Sequence, residues 1–351
     1  MLFRSGFDEF FGNLYHLNAE EEPELPDYPK DPKFRATFGP RGVMDCKASA
    51  SDDATVEPRF GKVGKQVCTD TGPLTKNRMV TIDDVIADRA VDFIKRQNAA
   101  GKPAFVWVNF THMHFRTHVK PESVGQSGRF QSPYHDAMID HDKNVGTVLG
   151  ALDELGIADN TFVMYSTDNG PHINSWPDAG MTPFRNEKNS NWEGAYRVPA
   201  MVKWPGKIKP GQVSNEMVSH LDWLPTLLAI AGDTEVKPKL LKGFKAGDMT
   251  YKVHLDGDNL VPYLTGQVDK GPRDSFLYIN DDQQLTGLRY DNWKFPPTSG
   301  TTMNACGARP WWSPPLSRQA RKGLTQSPTT SRGIASEKWI GTGENNRMPA
   351  S

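Results

Sequence analysis

The stretch YSTDNGPHINSWPDAGMTPFRNEKNSNWEGAYRVPAMVKWPG, Tyr165–Gly206, sets a carboxylate and an amide side by side, Asp168-Asn169, where an apolar run ends. Residues 161–167 read as a strand, and Gly170-Pro171 breaks it. Two adjacent oxygen-bearing side chains can turn toward one hard cation only where the backbone leaves its regular pleat. Beyond the break, Lys188, Trp192 and Arg197 stand in a loop punctuated by glycine, a composition that suits an oxyanion held beside a cation. Taken alone, an Asp-Asn-Gly string is also an ordinary turn.

Outward from this run the chain alternates helix and strand. Apolar residues at Ile82, Ile86, Ala90, Phe93 and Ile94 follow helical spacing after Thr81, an N-cap candidate with Asp84 three residues on, and Gly101 stops the pattern. Residues 104–110 then predict a buried strand. Met138, Val145, Val148, Leu149, Leu152 and Leu155 predict a second helix ending at Gly156, followed by the strand at 161–167. Two such cycles, with polar residues at the strand ends, predict an α/β sheet flanked by helices with its site at the carboxyl ends of the strands. Residues 199–204 add a strand and 222–231 a helix. Residues 275–280 and 285–289 predict an antiparallel pair.

Composition bounds the rest. A net charge of -1 with 37% hydrophobic residues over 351 positions is that of an ordinary globular protein, and it implies no nucleic-acid partner. No run approaches the roughly 18 apolar residues of a membrane helix, and the start lacks the apolar core of a signal peptide, so the compartment stays open. Cys46, Cys68 and Cys306 form no C-x-x-C, and a Cys46–Cys68 disulfide is an option in an oxidising compartment. Residues 296–351 are about half Pro, Gly, Ser and Thr with no period, and predict a disordered or non-native tail.

TDNG at 167–170, the pattern K-x-x-x-W-E-G-x-x-R-V-P from Lys188, and W-P-G at 204–206 resemble the sulfatase family, bacterial arylsulfatase-like, within the alkaline phosphatase superfamily. GFDEFFGNLYHLNAEEEPE from Gly6, NFTHMHFRTH from Asn109 and SHLDWLPTLLAIAG from Ser219 extend the resemblance over residues 6–295. It implies an incomplete sulfatase catalytic domain over 1–241 and a small C-terminal antiparallel sheet unit over 242–295. It also implies a divalent cation, Ca²⁺ or else Mg²⁺, with Asp168 and Asn169 among its ligands. His114, in T-x-x-H, would contact a sulfate oxygen, and Lys188 would reach the sulfate and the leaving oxygen. The implied partner is a small sulfate ester, aryl or carbohydrate, with no nucleic acid or membrane.

Plainer roles stand beside these: a structural histidine at a strand end, a solvated loop lysine, and loop-organising roles for Trp192, Glu193 and Arg197. His172, His220 and Asp222 are weaker candidates, Asp222 reading better as a helix cap. Three alternating histidines, His112, His114 and His118, raise a zinc alternative, weakened because Arg116 and Thr117 stand where a zinc hydrolase needs Asp and His. The family's nucleophile is a formylglycine made from cysteine in C-x-P-S-R or C-x-A-x-R, and neither motif, nor the first aspartate pair, occurs in this sequence. The expectation is therefore a chain truncated at its N-terminus and inactive alone. The alternatives are a phosphoester or phosphonate hydrolase of the same superfamily, or a non-catalytic anion-binding fragment.

Overall fold

The computed structural model describes residues 6–57, 61–180, 182–247, 249–280 and 283–295. The expectation for the 296–351 tail, Cys306 included, lies outside the described residues. Two compact units divide the chain, the first taking residues up to 161 together with 172–181, the second residues 162–171 and those from 182 onward.

In the first unit, β1 (Glu9–Gly12), β2 (Met44–Ala48) and β3 (Gln66–Asp70) form an antiparallel sheet in that order. Cys46 lies directly opposite Cys68 in the register, and the two form a disulfide. The short helix α1 (Leu17–Glu21) leads from β1 into the core. That core gathers Leu17, Val43, Leu74, Met79, Ile82 and Ile86, with Phe11, Val108 and Phe110 packed on it. The expected first helix is α2, Ile82–Ala99, which buries Ile82, Ile86, Ala87, Ala90 and Ile94 at the spacing of one helical face. Thr81 occupies its N-cap without a side-chain capping bond. Asp84 binds Lys120 Nζ at 2.6 Å. Gly101, φ +63°, takes the left-handed position that ends the helix.

Residues 104–110 correct the expectation of a buried strand. They join no sheet among the described residues, and Phe105 and Trp107 stay 55% and 68% exposed. Val108 and Phe110 face the core while Phe105 and Trp107 face outward under Phe7, with ring centroids 5.8 and 6.5 Å away. An alternating one-sided pattern is hidden inside a run that is apolar at almost every position.

The second helix, α3, spans Pro133–Glu154, and Gly156 follows it at φ +67°. Its first half inverts the expected face. Asp136, Asp140 and His141 are buried there, whereas Met138 is exposed; in the second half Asn144 is buried and Leu149 exposed. The buried carboxylates satisfy the preceding loop: Asp136 accepts the N–H groups of Gly125 and Ser127 at 2.7 and 2.9 Å, and Asp140 accepts the Ser123 hydroxyl.

The second unit contains β4 (Val163–Ser166) and β5 (Ala200–Lys203), paired antiparallel with Tyr165 opposite Met201. Between them lies one helical turn, α4 (Glu193–Tyr196). A short 3-10 turn, His220–Asp222, leads into α5 (Trp223–Ile230). Ser219 and Asp222 form a capping box there, as expected of Asp222, and the buried Asp222 carboxylate also binds Arg273 Nε at 2.9 Å and Asp258 N–H at 2.8 Å. The expected C-terminal antiparallel pair is present as β6 (Ser275–Ile279) and β7 (Leu285–Tyr290), extended by β8 (Trp293–Phe295) into a three-stranded meander. The whole is a mixed α/β architecture with small antiparallel sheets. No described helix is long and apolar enough to cross a membrane.

Candidate functional site

Asp168 and Asn169 follow the end of β4, where the backbone is held in place on both sides. Ser166 Oγ donates to Pro199 O at 2.9 Å, and Gly170 N–H donates to Ala195 O at 2.7 Å. Glycine is required at 170 by proximity: a Cβ there would stand 1.8 Å from Gly194 O. His220 Nε2 lies 2.9 Å from Thr167 O, which gives this weaker candidate a structural task beside the turn.

Lys188 sits in the same unit and is tied to the same turn, its N–H donating to Pro171 O at 2.9 Å. Asn186 and Asn189 flank it, both at φ 66°, the left-handed region that asparagine tolerates better than most residues. Ser190 Oγ donates to Glu187 O at 2.7 Å and closes the bend. Further along, Arg185 stacks 3.9 Å from the Trp192 ring centroid and Arg197 4.3 Å from that of Phe184, so Trp192 and Arg197 organise this loop as expected. Burial, and then the charge of Arg289, hold the Arg197 pKa below its ordinary value.

His114 belongs to the first unit. Its N–H donates to Thr111 O at 3.1 Å, and its ring stacks on His16 with centroids 6.0 Å apart and packs against Phe115 at 4.6 Å. Phe115 in turn stacks on His172 at 5.0 Å. The segment carrying His114 is clamped by Asp83 of α2, whose carboxylate accepts the Thr111 N–H and hydroxyl at 2.8 Å each and the His112 N–H at 2.9 Å. His112 Nδ1 lies 2.9 Å from the same carboxylate. Burial raises the Asp83 pKa, but the hydrogen bonds and charge of His112 and the amide of Thr111 outweigh it and hold this carboxyl below the usual range. Burial likewise opposes the charged form of His112, and Asp83 overcomes it to push the imidazole up.

His112, His114 and His118 do not share a centre. His118 Nε2 pairs with Glu21 at 3.0 Å while His112 is committed to Asp83. Among the described residues no group of three or more His, Cys, Asp or Glu is placed to hold a metal ion. The Asp168-Asn169 pair suits a hard divalent cation in kind. Asp168 is exposed, and Asn169 commits its amide N–H to Gly170 O at 2.8 Å, leaving its carbonyl oxygen as the donor atom. Two such oxygens are a minority of the six to eight that Ca²⁺ takes.

The structure thus gathers Asp168, Asn169 and Lys188 around one turn of the second unit and sets His114 in the first. Sequence reasoning missed the supports: Asp83 behind His114, and Tyr278, Arg289 and Lys294 around Glu193. Those partners lie 85 to 101 residues beyond Glu193 or, for Asp83, 28 residues before Thr111, and no local spacing signals such pairs.

The fold is mixed α/β, and the motifs at 167–170 and 188–206 place it among proteins with sulfatase-like sequence signatures. The structure resembles the PsFucS1 sulfatase from Pseudoalteromonas sp. with a TM-score of 0.67 and 25% identity, covering 83% of this chain and 54% of that one. The Sulfatase family model matches residues 2–233, and the chain belongs to the sulfatase family. It is 33% identical to steryl-sulfatase of Mus musculus over 268 residues, 73% of this chain and 37% of that protein. Similarity to N-acetylgalactosamine-6-sulfatase of Canis lupus familiaris is 33% over 202 residues, 55% of this chain and 38% of the relative. The chain therefore spans well under half the length of these curated relatives.

Proposed function

We propose that this chain carries the cation-facing and oxyanion-facing part of a sulfuric ester hydrolase acting on a small sulfate ester. The observation that carries the reading is the tie of Lys188 to the Asp168-Asn169 turn through Pro171 O, at 2.9 Å. Asp168 and Asn169 would hold the cation, Ca²⁺ or Mg²⁺. When bound, the ion supplies positive charge to the non-bridging sulfate oxygens. Lys188 brings an ammonium to the oxygen that receives the electron pair when its bond to sulfur breaks, charge that matters most in the transition state. His114 is proposed as a hydrogen-bond donor to a sulfate oxygen on the family motif alone.

The nucleophile is not supplied by the residues at hand. Cys46 and Cys68 are joined to each other, and none of the three cysteines stands in a formylglycine motif. The purified polypeptide alone is therefore expected to show no turnover of p-nitrophenyl sulfate. Appreciable hydrolysis by the purified chain, abolished by Asp168→Ala, would overturn that expectation. The names of the relatives favour aryl, steroid or carbohydrate sulfates as the substrate class.

A further inference from the structure

The family match ends at residue 233, yet the loop bearing Lys188 is fastened from beyond it. Glu193, at the start of α4, is buried, and each of its carboxylate oxygens is engaged by the C-terminal sheet. Oε1 accepts the hydroxyl of Tyr278 on β6 and Lys294 Nζ on β8 at 3.1 Å, and Oε2 accepts Arg289 on β7 at 3.0 Å. One carboxylate therefore joins all three strands. Lys294 Nζ also lies 3.6 Å from the Tyr278 ring centroid, which keeps the cation partly solvated by π density. Asn191 adds a second tie, Nδ2 donating to Thr286 O at 2.8 Å.

From this anchor the hold passes to the candidate site through backbone contacts. Gly194 N–H donates to Arg185 O at 2.8 Å, and a Cβ on Gly194 would meet Asn186 O at 1.8 Å, so the start of the Lys188 bend lies directly against α4. On the other side, Ala195 O receives the Gly170 N–H beside Asp168 and Asn169. Both halves of the candidate site are thus built on residues 193–195.

We propose that Glu193 is a positioning residue that fastens the Lys188 bend and the Asp168–Gly170 turn to the C-terminal sheet, making β6, β7 and β8 part of the site. The word site rests on the sulfuric ester hydrolase reading; the fastening does not. A buried carboxylate with three donors is costly to break from one side, because Lys294 and Arg289 are left without their counter-charge.

Amide hydrogen exchange of the ligand-free chain tests this. In Glu193→Gln, the amides of Gly170, Lys188 and Gly194 are expected to lose at least tenfold in protection relative to the α5-terminal amides of Ala231 and Gly232. Tyr278→Phe, which keeps the carboxylate and both cations, is expected to produce a smaller loss at the same three amides. Adding Lys294→Met to Glu193→Gln removes one orphaned charge and is expected to restore part of the protection, a rescue that general destabilisation would not give. Unchanged protection in Glu193→Gln, an equal loss across α5, or a double variant no better protected than Glu193→Gln would each overturn the proposal. Calorimetric titration of the same variants with CaCl₂ reports separately on the hydrolase reading: absent binding in the wild-type chain counts against that reading and leaves the exchange result standing.

Discussion

Gly170→Ala is the sharpest perturbation of the turn that carries Asp168 and Asn169. The added Cβ would lie 1.8 Å from Gly194 O, 2.8 Å from Gly194 C and 3.1 Å from Ala195 Cα, all backbone atoms that no side-chain rotation can move aside. Relief requires the two segments to part, which also breaks the 2.7 Å bond from Gly170 N–H to Ala195 O. Overpacking costs about 1–3 kcal/mol, and a buried amide left without its acceptor about 1–3 kcal/mol more, so the expected loss is about 2–6 kcal/mol. The conformational entropy that alanine removes from the unfolded chain offsets only about 0.4–1 kcal/mol. Urea unfolding reads the loss as a lower midpoint at constant slope. Gly146→Ala is the control: this residue lies within α3, a Cβ added there has nothing within 4 Å, and the change is expected to be neutral or stabilising. A Gly170→Ala midpoint equal to wild type, or a Gly146→Ala loss as large, would refute the reasoning.

Arg273→Ala strands the fully buried Asp222 carboxylate, now paired at 2.9 Å, and is expected to cost about 3–5 kcal/mol by urea unfolding, with Asp222→Asn in the same background recovering part of it. Burial, opposed by a backbone bond from Tyr15 and aided by the charge of Asp70, pushes the Glu20 carboxyl up to about 7 from 4.5. A raised carboxyl pKa means the folded chain binds the extra proton, so this group's contribution falls as pH rises from about 4.5 to about 7, by on the order of 3 kcal/mol. Glu20→Gln is expected to flatten that fall and to be more stable than wild type at pH 8; an unchanged pH profile would contradict it. Reducing the Cys46–Cys68 disulfide, which closes a separation of 22 residues, is expected to cost about 3 kcal/mol, read as a lower thermal midpoint in reductant.

Much of this arrangement was legible because local chemistry decided it. The four-residue spacing of Ile82, Ile86, Ala90 and Ile94 needed no tertiary information, and β6 with β7 followed from short apolar runs at a hairpin-like separation. The Asp168-Asn169 turn was legible because strand, glycine and proline occur in order. Residues 104–110 were not, since a run apolar at nearly every position conceals which of its faces is buried. The first half of α3 failed for the opposite reason: Asp136 and Asp140 are buried to serve a loop, and a rule that puts carboxylates outside reads the wrong face. Glu193 could be read as a loop organiser from its place in the motif, but its partners Tyr278, Arg289 and Lys294 became visible only in three dimensions.

The central claim is that Asp168 and Asn169 face a divalent cation. Isothermal titration of the purified chain with CaCl₂, beside Asp168→Ala, tests it most directly. Two protein oxygens predict weak binding, with a Kd on the order of 10⁻⁴–10⁻³ M or higher, that disappears in Asp168→Ala. A chain that shows no binding heat at millimolar CaCl₂, or one whose binding is the same in Asp168→Ala, would contradict the claim.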